Sequence, residues 1–239
     1  MTTRTNSPRP ATWTLAVAVT LACSGAEPAD EAPVAPPTST TSALVGIVGH
    51  WTDTTIGTPA ILVNGESWSG ESSREALDSA SRRLFNEASD TFLANMTSPT
   101  AFPLAIAEDI LAFNSGTLRT GFNLVGGKSD QNAGVVFGLA PSGEYHYVRY
   151  NTKDGNVALW RYRNGEREVV KHGDVHKQLP LGEWHELVVE INGPEVKGYV
   201  SSDTTISVVH TLDSAPVGRV GVWVKRDALT AFRSFVATP

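Results

Sequence analysis

The chain has 239 residues, 41% of them hydrophobic, with 25 acidic residues against 19 lysines and arginines, a formal net charge of −6 and a pI near 5.5. That length can bury a full core as one large domain or two small ones, and a single domain is expected. An acidic chain with dispersed basic residues lacks the electrostatic footprint that phosphate backbones and anionic bilayers require, so neither nucleic acid nor a bare membrane surface is an expected partner.

Arg4 and Arg9 precede an apolar run from Trp13 to Ala22, which is too short to span a bilayer but has the length of the apolar region of a secretory signal. Residues 1–22 are therefore expected to be a signal peptide. Thr20-Leu21-Ala22-Cys23 resembles a bacterial lipobox, although that motif prefers Leu where Thr20 stands. Two outcomes stay open: Cys23 is lipidated after cleavage, or an ordinary signal is cut nearby and Cys23 is lost or idle. Cys23 is the only cysteine, which excludes a disulfide within the chain. Residues 23–43 hold Pro28, Pro33, Pro36 and Pro37 among Ala, Thr and Ser, a composition too poor in apolar surface to fold, and are expected to be a disordered tether. Residues 44–239 form the expected globular domain.

From Leu44 to Val63 short apolar patches alternate with Gly46, Gly49, Gly57 and Pro59, as in loops and one or two edge strands. Between Ser72 and Met96 the period changes: Leu77, Ala80, Leu84, Ala88, Phe92 and Leu93 recur at three- and four-residue steps, predicting a helix or two short ones, capped by Ser72 or Ser73 and laid against one edge of the fold. An amphipathic surface for a partner is the alternative there. Asn95-Met96-Thr97 has the form of a glycosylation sequon. After Pro99 and Pro103 the pattern is of strands: Leu104 to Ala107, Gly116 to Leu124, then Val135 to Phe137, Tyr145 to Tyr150 and Val157 to Tyr162, the last three separated at Gly143 and Asp154-Gly155. Leu187, Val189 and Ile191 alternate with Glu186 and Glu190 in a half-buried strand, and Asn192-Gly193 predicts a hairpin into Val196 to Val200. Ile206 to His210, Val217 to Val224 and Ala231 to Ala237 complete ten to twelve strands. The expected fold is all-β, an antiparallel two-sheet sandwich or jelly roll with a short helical extension near residues 72–96.

Trp184-His185-Glu186-Leu187, Gly198-Tyr199-Val200 and Gly218-Arg219-Val220-Gly221-Val222-Trp223-Val224-Lys225 resemble the concanavalin A-like sandwiches of the laminin-G and 3-keto-disaccharide hydrolase-like group. So do the blocks at residues 127–134, Arg149-Tyr150-Asn151, Asn156 to Trp160 and Gly165-Glu166-Arg167, which are similar to those of uncharacterised secreted bacterial members; the resemblance spans Pro103 to Pro239. Such a sandwich hosts lectins, glycosidases and inert spacers alike, so the resemblance implies the fold more firmly than a reaction. Where relatives carry a Thr/Ser-Lys-Ala-Asp-Ser block and later Phe-Asp-Asp, this chain reads Val224-Lys225-Arg226-Asp227-Ala228 and Phe232-Arg233-Ser234-Phe235. Both late acids are replaced. If they hold calcium in relatives, two hard oxygen ligands are missing here, and no metal or other cofactor is expected.

Retaining glycosidases of related sandwiches carry Glu-x-Asp-x-Glu on one strand, and this chain has none. Glu186 and Glu190 share a strand face but stand roughly 13 Å apart, outside either glycosidase geometry, and suit a solvated outer face. His172-x-x-x-His176 would line a metal only on a helix, and Gly173 argues for loop. No Gly-x-Ser-x-Gly and no phosphate-cradling motif is present. The candidate ligand-binding residues are Asp130, Tyr145, Tyr147, Arg149, Asn151, Asn156, Lys225 and Asp227, each at a strand end, at a turn or on the face that Arg149 shares with Tyr145 and Tyr147, where rings and a guanidinium would meet a sugar. The structural alternative pairs Arg149 with Asp130 or Asp227 and leaves no site. Trp160, Trp184 and Trp223 are expected in the core, and Trp51, Trp68, Tyr145 and Tyr162 nearer the surface. Together these point to a secreted, lipid-anchored, glycan-binding sandwich of the bacterial cell envelope. A hydrolase of the 3-keto-disaccharide type and a protein-binding adhesion module are the two alternatives.

Overall fold

A computed structural model describes residue 1, residues 38–65 and residues 72–239. The expected signal peptide, the lipidation site Cys23 and Trp68 lie outside these residues. Within them, strands run in the order β1 (Thr40–Ser42), β2 (Leu44–Val48), β3 (Trp51–Thr55) and β4 (Pro59–Asn64); helices α1 (Arg74–Phe85) and α2 (Asp90–Met96) follow. Then come β5 (Leu104–Ala107), β6 (Gly116–Gly126), β7 (Asn132–Leu139), β8 (Tyr145–Asn151), β9 (Asn156–Arg163) and β10 (Glu166–His172). The chain closes with β11 (Trp184–Asn192), β12 (Glu195–Val200), β13 (Asp203–Thr211), β14 (Arg219–Trp223) and β15 (Leu229–Thr238).

These strands make two antiparallel sheets, in the order β13-β12-β11-β6-β15-β4-β3 with β1 also on β15, and β10-β9-β8-β7-β14-β5-β2. The architecture is the jelly-roll β-sandwich that the alternating pattern predicts. Between the sheets lie Phe122 and Leu124 of β6, Val148 and Tyr150 of β8, Leu187, Val189 and Ile191 of β11, and Phe232 of β15, each buried. At about 1.5–3 kcal/mol for each large apolar side chain withdrawn from water, this layer is the main source of stability. Gly198 of β12 is required by the close approach of the two sheets: a Cβ there would stand 2.4 Å from Cγ1 of Val148.

Three differences from the sequence pattern follow from tertiary pairing. β1 lies within the stretch expected to be tether, because Thr40 to Ser42 gain backbone partners from Phe235 to Ala237. β10, Glu-Arg-Glu-Val-Val-Lys-His, is polar on both faces and so carries no alternation; it is the edge strand beyond β9, where charge guards a free edge. The turn after β11 pairs Asn192 with Glu195 and puts Gly193, at φ 58°, first in the two-residue loop.

The helices form as the 3.6-residue period predicts, but they cover a sheet face rather than an edge. Ser73 Oγ caps α1 by accepting from Ala76 N–H, and Asn86, at φ 60°, ends it in the left-handed region. Ser89 caps α2. Leu77 and Leu84 of α1 and Phe92, Leu93 and Met96 of α2 pack with Leu104, Tyr145, Tyr147, Tyr162 and Trp223 on the outer face of the second sheet. Arg219 of β14 donates to the carbonyls of Leu84 and Glu108, satisfying the C-terminal end of α1 and tying it to the sheet. Asn95 of the sequon is 4% exposed and donates to Ser142 O, so it is a structural residue here.

Candidate functional site

Tyr145, Tyr147 and Arg149 alternate along β8 and emerge on the outer face of the second sheet, opposite the core-facing Val148 and Tyr150. The helices take the first two. Tyr145 is 2% exposed and stacks on Tyr162 at 4.9 Å; Tyr147 is fully buried against Trp223 at 4.3 Å. Burial pushes the Tyr145 phenol well above its ordinary pKa and the Tyr147 phenol up to about 12, with Arg167 pulling Tyr147 partly back. Neither ring can meet a ligand, which corrects their assignment as sugar-stacking residues and the expectation that Tyr145 and Tyr162 are surface aromatics.

Arg149 lies beyond the helices. Its cross-strand neighbours are Gly134 on β7 and Ala158 on β9, residues too small to fill the space above it. A groove of about 750 Å³ opens there, with Arg149, Asn156, Trp160, His172 and Lys225 among its lining residues. Three of the predicted residues, Arg149, Asn156 and Lys225, thus line one surface. Trp160, expected in the core, is half-buried and faces the groove instead, its ring stacked on Tyr147 at 6.2 Å with 11° between planes. His172 meets its edge at 6.2 Å. His172 reaches this face through a β-bulge: Val169 pairs with Trp160 but Lys171 with Leu159, so the extra residue Val170 shifts the alternation and His172 pairs with Ala158.

A continuous polar network forms the end of the groove. Lys225 Nζ pairs with Asp130 Oδ2 at 2.8 Å; Asn151 Nδ2 donates to Asp130 Oδ1 at 3.3 Å and to Asp154 Oδ2 at 2.9 Å; Arg149 donates to that same Asp154 oxygen at 2.8 Å. Arg149 is therefore paired, but with Asp154 rather than with Asp130 or Asp227. Asp130 and Asn151 are buried beneath the groove and hold its walls instead of lining it. Asp227 is a loop clamp: it adopts φ 66°, and its two carboxylate oxygens accept from the backbone N–H groups of Ser129 at 2.5 Å and Asp130 at 2.8 Å. Burial pushes its pKa up, the N–H donors pull it further down, and the net effect is a carboxyl below the ordinary range. With its oxygens so engaged, Asp227 has no role as a groove ligand, and among the described residues no three His, Cys, Asp or Glu side chains converge as a metal would need.

The stretch from Gly173 to Gly182, of which Gly173, Asp174 and His176 line the groove, is fixed in place. Lys177 N–H donates to Gly155 O, Tyr150 OH to Lys177 O, Leu179 N–H to Tyr150 OH, Thr152 Oγ1 to Leu179 O and Gly182 N–H to Leu124 O. Lys177 Nζ is anchored on Asp203 at 2.7 Å. The groove is thus preformed. Yet three of its side chains are incompletely satisfied: Arg149 Nε, Asn156 Oδ1 and Trp160 Nε1 are buried with no partner. Buried polar atoms are usually paired, and other unpaired ones among the described residues, such as Tyr145 OH and Trp223 Nε1, lie under the helices.

The other face of the molecule is different. Glu186 and Glu190 stand on the outer side of the first sheet, Glu186 near Arg119 at 3.8 Å and Glu190 accepting from Tyr199 OH at 2.8 Å, remote from the groove. Trp184 lies half-buried under Arg233 on that same face, and Trp51 is half-buried against the core; of the three tryptophans expected inside, Trp223 alone is fully so.

No protein-family model and no curated protein matches the chain. Among solved structures it is similar to a carbohydrate-binding module, CBM66 from Bacillus subtilis, at 14% identity over 84% of this chain and 99% of that one, with a TM-score of 0.57. It also matches the GH43 protein BlXynB (12%, over 79% of this chain and 35% of that one, TM-score 0.48) and a β-glucanase (10%, over 84% and 91%, TM-score 0.45), both from Bacillus licheniformis. At such identities the likeness to the module shows the fold alone: the chain is a jelly-roll β-sandwich of the concanavalin A-like kind.

Proposed function

We propose that this sandwich is a non-catalytic, lectin-like module that binds carbohydrate in the groove beside Trp160. The observation that carries the reading is a groove in which an indole, Trp160, lies beside the polar side chains of Arg149, Asn156 and His172. A sugar ring offers an apolar face to the exposed part of the indole and hydroxyls, which both donate and accept, to the polar side chains around it. The module named for carbohydrate binding that shares the fold supports the same reading. The leader and Cys23 support export and lipid anchoring at the bacterial envelope, a proposal that rests on residues 1–23 of the sequence; metabolic labelling with palmitate, lost in Cys23→Ser, tests it. For the groove the test is a glycan array followed by calorimetry. A sugar ligand should be found, and Trp160→Ala should weaken it at least tenfold; an array with no binder would sink the proposal.

One observation favours a second reading, hydrolysis of a 3-keto-disaccharide or related glycoside: Asp154 and Asp174 both present carboxylates to the groove. Release of a monosaccharide from oxidised disaccharides, abolished in Asp154→Asn or Asp174→Asn, would establish it; an intact substrate after long incubation removes it.

A further inference from the structure

Arg167 of β10 sits next to the groove, on the face that Trp160 shares. Its guanidinium carbon lies 4.7 Å from the ring centroid of Phe102, 5.3 Å from that of Trp160 and 5.9 Å from that of Trp223. Its hydrogen-bond acceptor is the Tyr147 hydroxyl, at a long 3.5 Å, and its Nε is buried without a partner. Arginine keeps its proton at any pH the fold survives, so this charge needs an anion or bulk water to balance it. Arg167 is partly exposed to water, and among the described residues no carboxylate pairs with it. The acids beside it in sequence, Glu166 and Glu168, alternate to the other face of β10, where Glu168 takes Arg161 at 2.6 Å. Tyr147 stays a neutral phenol at physiological pH because burial raises its pKa. Ring faces stabilise a cation by about 0.5–2 kcal/mol each, without neutralising it.

The same indole has a second guanidinium on it. Arg149, 3% exposed, lies 5.4 Å from the Trp160 centroid, engages Asp154 through one nitrogen and leaves Nε open. Lys225, paired with Asp130, is the other cation among the lining residues beside Arg149. The carboxylates near them are Asp130 and Asp154, already engaged, and Asp174, which also lines the groove.

We propose that the groove is selective for acidic sugars, and that the carboxylate of a uronic acid seated at Trp160 is met by the guanidinium groups of Arg149 and Arg167. This rests on the carbohydrate-binding reading and names the class of sugar within it. The test is calorimetry of the whole chain with oligomers of galacturonate, mannuronate and glucuronate, each beside its carboxyl-reduced twin, together with a panel of neutral glycans, at low and high salt. An acid that binds at least tenfold tighter than its neutral twin, with the advantage shrinking as salt rises, is the expected result. Arg167→Met, which keeps the stem over the rings, should bring that ratio below threefold; the acid-to-twin comparison on the unaltered chain decides the question even if this variant does not fold. Equal binding of acid and twin, or binding of neutral glycans alone, overturns the selectivity and leaves a lectin. Silence on every sugar overturns both.

Discussion

On one face of β8, Tyr145, Tyr147 and Arg149 stand in a row; α1 and α2 lie over the first two, while the third looks into an open groove. The two halves of this sheet face are built from the same strands and differ in what covers them. Under the helices aromatic rings stack on one another, and every large side chain is withdrawn from water. In the open half the neighbours of Arg149 shrink to Gly134 and Ala158, and a groove is left over the sheet. A sheet face can thus be assigned half to stability and half to recognition, and the border runs through Trp160, which stacks on Tyr147 on one side and lines the groove on the other.

The sharpest way to break this division is to weaken the covered half. Phe92→Ala removes a fully buried ring of α2 that packs on this face and should cost about 3–5 kcal/mol, read from urea unfolding. A loss below about 1 kcal/mol would mean that the helices are an appendage and that the covered half contributes little. The inward side of β8 supplies the next effect. His146 lies against Phe137, and burial first and then the Arg161 charge hold its pKa down at about 4. Above pH 6.5 both folded and unfolded chains carry it neutral, so it makes no difference. As pH falls from 6.5 toward 4 the unfolded chain takes up a proton that the fold refuses, and stability should drop by up to about 3 kcal/mol before levelling off. His146→Phe should abolish that drop; a variant with the same pH profile as the unaltered chain would place the acid sensitivity elsewhere.

These residues also show where the sequence was readable. The period-two ladders beyond Pro99 and the three-to-four spacing of Leu77, Leu84 and Phe92 depend on local geometry, and the two sheets and two helices follow from them. Arg149, Asn156 and Lys225 were found because polar residues at strand ends face the rim of a sandwich. The burial of Tyr145 and Tyr147 is not legible, because alternation tells which residues share a face, not which face a helix will cover. The exposure of Trp160 is not legible either, because a tryptophan in a strand is more often packed than exposed. His172 was out of reach for a different reason: the bulge at Val170 reverses the alternation, and no local pattern marks it. Asp154, Asp174 and His176 stand on loops whose course is set by distant hydrogen bonds, such as those from Tyr150 and Thr152 to the wall.

Smaller effects separate residues that hold the groove from those that wait in it. Asp227→Ala removes the clamp on the backbone N–H groups of Ser129 and Asp130 and strains a left-handed position, and should cost about 1–3 kcal/mol while leaving Asn156 and Trp160 untouched. Binding should weaken only as far as the 127–131 loop and Lys225 shift; a full loss of binding in a stably folded Asp227→Ala would return Asp227 to the site.

Asn156→Ala is the reverse case. Asn156 is 4% exposed, at the turn between β8 and β9, and its Oδ1 makes no bond within the protein. Removing a polar group that is already unsatisfied forfeits no hydrogen bond and relieves its desolvation, so unfolding stability should change by less than about 1 kcal/mol, and in the favourable direction if the vacancy is a true strain. Sugar binding should nevertheless fall several-fold, because the ligand loses a polar side chain of the groove lining. A variant that unfolds at markedly lower urea concentration would show that Oδ1 has a partner inside the protein, and Asn156 would then belong to the fold rather than to the groove.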